Sequence, residues 1–225
     1  MQRKTLIVLT VFLIFVGLPC WLGFSGLLRL RRNAQLLLSV KKGDLVSADL
    51  LLKQGSDLNS RDYNEPVSNL DQINQPSYYT NMGRGYAAWG VPRRPTALQR
   101  SISLQNENLN MERLLLTYGA DVNLGDENGV TPLMIAAWYD HIDTMKLLIQ
   151  HGAMQNVADQ NGVTALMMAA GNGSLQAARL LVYCGADPRQ KDSMGQSAQD
   201  KADMAGKSAL SQYLKSVGSK LSHQR

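Results

Sequence analysis

From residue 95 onward, apolar and polar positions return in blocks with a fixed beat. GVTPLMIAAW begins at Gly129 and GVTALMMAAG at Gly162, and when 129–161 is laid over 162–194 twelve positions are identical. Gly119, Gly152 and Gly185 step by 33, as do Asp126, Asp159 and Asp192, and Gly129, Gly162 and Gly195. Three sets of markers with one period indicate stacked supersecondary units, each too small to bury its own apolar face.

Each unit predicts two short helices. Thr131-Pro132-Leu133 opens the first, because threonine caps a helix and proline is tolerated in its first turn. Small Ala136 and Ala137 let neighbouring helices approach closely. A turn follows at Asp140-His141, or at Asn172-Gly173 in the next unit. The second helix carries Met145, Leu147, Leu148 and Ile149, matched by Ala178, Leu180, Leu181 and Val182. Gly152 and Gly185 then end it in the left-handed position that follows many helices. Asn128-Gly129 and Asn161-Gly162 are tight-turn dipeptides suited to a hairpin.

This pattern resembles the ankyrin repeat, with its TPLHxAA-like opening, paired helices, GAD-type end and hairpin finger. Met134 and Met167 stand where that family usually has histidine, which affects local hydrogen bonding but not the fold. Pro95-Thr96-Ala97-Leu98 opens a further unit ending at Gly119-Ala120-Asp121-Val122-Asn123, with two extra residues placed near Gln105–Asn110. Ser197-Ala198 opens a last unit with polar helices at 198–204 and 208–216. NAQLLLSVKKGDLVSADLLLKQGSDLN, 33–59, reads as a first unit without the opening. The resemblance implies an all-α solenoid over 33–218, with repeats at about 33–59, 95–123, 129–156, 162–189 and 195–218. It also implies a concave binding face made of fingers and first helices.

One stretch keeps no period. Asn123 to Thr131 spans eight positions, whereas the matching Asn59 to Thr96 spans 37, a surplus of 29 residues within 60–94. An enlarged finger is therefore expected there, since loops lengthen without breaking a core. It holds Tyr63, Tyr78, Tyr79 and Tyr86, half of the eight tyrosines, together with Trp89. Arg84, Arg93, Arg94 and Arg100 lie in a stretch, 72–106, without an acidic residue. Aromatics and arginine dominate binding hot spots, and the same aromatics could instead pack back on the flanking units.

A different pattern occupies the N-terminus. Thr5–Leu28 holds 24 residues without a charge. As a helix it would be roughly 36 Å long, enough to cross a hydrocarbon core of about 30 Å. A single N-terminal transmembrane helix is expected over 5–28. A cleaved signal sequence is the rival, although Gly23 and Ser25 make a poor cleavage site. The formal charge of +5 follows from this end: residues 1–32 carry five basic and no acidic residues, and 33–225 carry 18 of each. A nucleic-acid footprint needs basic residues gathered on the folded domain, so nucleic acid is not an expected partner. Arg29, Arg31, Arg32, Lys41 and Lys42 favour a cytoplasmic domain, while the short positive N-terminus pulls towards export. Cys20 lies in the apolar run, leaving Cys184 without an intrachain disulfide partner.

Chemistry is sparse. GRGYAA, 83–88, lacks the strand and helix a dinucleotide loop requires. His141 and His151 sit at a turn and a helix end without cysteine partners. Met134, Met145, Met167 and Met168 read as core filling. No nucleophile, base and oxyanion donor assemble, so no catalysis, cofactor, metal or small-molecule substrate is expected. The expected function is a membrane-tethered adaptor that binds a protein partner. The alternative is an exported repeat protein that binds envelope proteins outside the cytoplasm. The binding residues expected are Tyr78, Tyr79, Arg84, Tyr86 and Trp89 in the finger, with Trp138 and Tyr139 at the end of a first helix. Trp138 aligns with Gly171, so its size is not required by the repeat; it either meets a partner or packs on the neighbouring helix.

Overall fold

A computed structural model describes residues 18–60, 95–103 and 108–222. Among them the secondary structure is helical, apart from one isolated bridge between Ala158 and Thr164. The helices fall into five consecutive pairs: α1 (Leu18–Lys42) and α2 (Leu45–Lys53), α3 (Ala97–Ile102) and α4 (Leu109–Thr117), α5 (Pro132–Tyr139) and α6 (Ile142–Gln150), α7 (Ala165–Asn172) and α8 (Leu175–Tyr183), α9 (Ala198–Met204) and α10 (Ser208–Ser222). The first members pack on one another in chain order, α1 to α9, as an inner layer, and the second members form an outer layer in the same order.

Local chemistry accounts for these ends. Thr96, Thr131, Thr164 and Ser197 each cap an inner helix by accepting the N–H three residues on. Asp44, Asn108 and Ser174 do the same for outer helices. Each cap satisfies one of the amide donors that a helix start leaves unpaired. At the end of α6, Gly152 adopts φ +88°, its N–H bonds to Ile149 O, and Ala153 N–H reaches Leu148 O. That paired closure needs a residue that tolerates the left-handed region. Between the helices lies a continuous core. Ala136, Ala137, Ala169 and Ala170 are fully buried where the inner helices meet, alongside Ile135, Leu148 and Leu181. Leu147 is buried too, but Leu180 at the equivalent position is only half-buried.

Asn108 caps α4 and Leu109 and Asn110 form its first turn, which confines the expected extra residues of the second unit to the part of the inter-helix turn before Asn108. Two features differ from the sequence expectation. The helix opening at Ser208 continues to Ser222 instead of stopping at 216. And no break separates the apolar segment from the first unit. Leu18–Lys42 is one helix of 25 residues, since LRLRRN contains neither proline nor glycine. Among the described residues no helix is long and apolar enough to cross a membrane. Residues 5–17 of the expected span, and most of the 60–94 insertion, lie outside the described residues.

Candidate protein-binding face

The fingers are built from the aspartates that mark the period. Asp126 Oδ1 accepts the N–H groups of Asn128 and Val130, Asp159 Oδ1 those of Asn161 and Val163, and Asp192 Oδ1 those of Met194 and Gln196. One carboxylate thus folds each turn. Neighbouring fingers are tied edge to edge: Gln160 N–H donates to Asn128 O at 2.9 Å, Gln160 Nε2 to Glu127 O at 2.8 Å, and Ser193 N–H to Asn161 O at 2.8 Å. Gly129 and Gly162 allow this approach. A Cβ on Gly162 would lie 3.0 Å from the Asp192 Cα.

Equivalent aspartates have different electrostatics. Burial pushes the Asp159 carboxyl up from its ordinary value, against the hydrogen bonds it accepts. Burial also pushes the Asp192 carboxyl up. Lys201, 2.6 Å from its Oδ2, together with the Gln196 N–H, outweighs that and holds it below the ordinary value.

On the opposite edge, asparagines join one unit to the next. Asn59 Oδ1 accepts Asp121 N–H, Asn123 Oδ1 accepts Met154 N–H, and Asn156 Oδ1 accepts Asp187 N–H. Asn123 and Asn156 return a bond through Nδ2 to Gly152 O and Gly185 O. At the start of the array Asn33 fills this slot, accepting Asp57 N–H, and the Arg32 guanidinium donates to Gln54 O beside it.

At the slot of the family's usual histidine, Met134 lies with its sulfur 3.4 Å from Thr131 N, closing the cap with a weak acceptor. Gln99 fills the equivalent slot more fully. Its Oε1 accepts Thr96 N–H, and its Nε2 donates to Leu124 O and Val130 O in the next finger. Gln99 broke the repeat pattern in the sequence; it belongs to this surface as a brace. Glu112 braces the outer layer instead: on α4 and fully buried, its Oε2 accepts the hydroxyl of Thr144 on α6 at 2.7 Å.

Trp138 and Tyr139 end α5, both partly exposed and both packed against the core. The Trp138 ring edge lies 3.8 Å from where a Gly171 Cβ would project, so the tryptophan covers the gap that this glycine leaves. Packing on the neighbouring helix, one of its two expected roles, is therefore present, and a solvent-facing part of the ring remains. Tyr139 stacks on His141, with ring centroids 5.7 Å apart and planes at 26°. Between them Asp140 adopts φ 60° and accepts the Ser174 hydroxyl, fixing the turn to the next unit. The structure brings Trp138 and Tyr139 together on one rim. Tyr78, Tyr79, Arg84, Tyr86 and Trp89 lie outside the described residues.

A family model described as ankyrin repeats, in three copies, matches residues 93–192. The match takes in α3 to α8 and stops short of the outermost helix pairs. The match covers 100 of the 225 residues, and ankyrin repeats are typically non-catalytic protein-interaction modules. No curated protein matches the chain.

Proposed function

We propose that the chain is a membrane-tethered adaptor. It binds a protein partner non-covalently on the face made by its inner helices and fingers, and holds that partner at the bilayer without catalysis. The observation that carries this reading is the hydrogen-bonded finger ladder, which makes fingers and inner helices one continuous surface with Trp138 and Tyr139 on its rim. Extended surfaces of this kind are what stacked repeats supply. In this reading the first and last helix pairs are repeats too, making five. The 60–94 insertion adds Tyr78, Tyr79, Arg84, Tyr86 and Trp89 to the same face, and residues 5–28 anchor the chain by a single span. The basic residues from Arg29 to Lys42 support a cytoplasmic array.

Two experiments test it. Full-length protein should resist carbonate extraction from membranes; a soluble chain with a new N-terminus near Gly26 would end the tether reading. For the binding face, Tyr139→Asn installs the residue found at the equivalent position 172. Combined with Trp138→Ala, it should weaken retention of pulled-down partners by about tenfold, the effect of one hot-spot residue, while the fold persists. Undiminished retention would remove the rim from the binding face.

A further inference from the structure

The two ends of the array are finished differently. Leu38 is 49% exposed on α1 and Leu50 56% exposed on α2. Among the positions equivalent to Leu38, Ile135, Met168 and Lys201 are buried and Arg100 of the second unit is half-buried; among those equivalent to Leu50, Leu147 is buried and Leu114 and Leu180 are half-buried. Among the described residues no unit precedes the first, which leaves its stacking surface more exposed than those of later units.

This exposed surface has a definite shape. Leu28, Arg31, Gln35, Leu38 and Lys42 recur at alternating spacings of three and four along α1, so they form one straight stripe about 21 Å long. Two adjoining depressions follow this stripe and share Gln35; the second is floored by Leu50 and Leu51 of α2. A straight groove with a three-four apolar rhythm suits a helix laid along it. The outer edge needs no further cover, because Arg32 and Asn33 already fill the bonds that a preceding unit would make to Gln54 and Asp57. A single helix, without a finger or loop, is therefore enough to complete the end.

Charge selects the kind of helix. α1 carries Arg29, Arg31, Arg32, Lys41 and Lys42 and no acidic residue. Asp44, at the groove's end, is engaged as the cap of α2 through Ser47 N–H. A second copy of the chain docked symmetrically would set this basic helix against itself. We propose that the groove between α1 and α2 seats an amphipathic helix of a partner protein, apolar on the face against Leu38 and Leu50 and acidic on the flanks facing Arg31 and Lys42. This surface is separate from the finger face and extends the adaptor reading to a second partner site.

The test uses the full-length chain in its native cells, with p-benzoylphenylalanine at position 50, on the floor of the groove. Irradiation should join it to another protein, at a segment of helical apolar spacing rich in Asp and Glu. That segment, made as a peptide, should bind the full chain in neutral detergent. Leu38→Asp or Lys42→Glu should each weaken binding by about tenfold with unchanged far-ultraviolet circular dichroism. Adducts to lipid, to a second copy or to the chain's own residues 61–94 would overturn the proposal. So would the absence of adducts, or a captured peptide whose affinity ignores Lys42→Glu.

Discussion

Replacing Lys201 by methionine removes the partner of a carboxylate almost out of reach of water. Their side chains are 6% and 2% exposed, with Lys201 Nζ 2.6 Å from Asp192 Oδ2 and 2.7 Å from Gln196 Oε1. Methionine keeps most of the stem's volume, so the cost is electrostatic and not a cavity. Breaking a buried pair by removing one member costs about 3–5 kcal/mol. The interior of this array argues for the lower end, since Met168 occupies the equivalent position and Asp159 is accommodated beside it with its pKa pushed up by burial. About 3 kcal/mol is therefore expected, which at a urea slope of about 2 kcal/mol/M lowers the unfolding midpoint by about 1.5 M. The pH dependence has a definite sign. The Asp192 carboxyl lies below its unfolded value, so its contribution is present above about pH 4 and is lost as pH falls through the lowered folded value. In Lys201→Met the carboxyl should move above the ordinary value, as in Asp159, and the acid-labile component should disappear. Adding Asp192→Asn should recover most of the loss, because neither charge is then buried alone. Denaturation followed by circular dichroism, with carboxyl titration by NMR, reads both effects. A loss under about 0.5 kcal/mol with an unmoved Asp192 carboxyl would refute the reasoning.

Other variants probe other links. Gln99→Met should cost about 1–3 kcal/mol by orphaning the Leu124 carbonyl and removing one of the two bonds to Val130 O, which keeps the Asp126 N–H; urea midpoints measure it. Gly162→Ala should cost more than Gly152→Ala. Both glycines have positive φ, worth about 1–2 kcal/mol, but only the first would press a methyl on the Asp192 backbone; thermal melts rank them. Leu148→Ala should cost about 2–5 kcal/mol, and Leu180→Ala clearly less, because Leu180 is half-buried. Equal losses would mean that exposure does not govern these positions.

What the sequence made legible was whatever repeats. Threonine caps, finger aspartates and terminal glycines recur because each performs a backbone task that every unit must complete, so their chemistry shows as period. Residues that depart from the period are harder to read. Gln99, Glu112 and Lys201 each occupy a slot that is apolar in the third and fourth units, and only the packed neighbours show that they are braced from across a unit boundary. The continuity of α1 was hidden for another reason. Composition changes sharply at Arg29 while helix propensity does not, and helices follow propensity. Of the expected binding residues, Trp138 and Tyr139 can be placed, and the odd size of Trp138 opposite Gly171 was the signal that pointed to them.

The bonds that cross the long insertion give this chain an unusual divisibility. Asn59 holds Asp121 across 62 positions, and the Tyr118 hydroxyl meets Asp49 at 2.7 Å across 69. α1 and α2 lie against α3 and α4 over the same gap. None of these contacts uses the peptide bonds of residues 61–94. Two fragments produced by scission there should find each other and reassemble as a non-covalent complex. The same join could receive a foreign domain or new chain ends, giving a permuted array whose first residue lies within 61–94 and whose helices keep their neighbours.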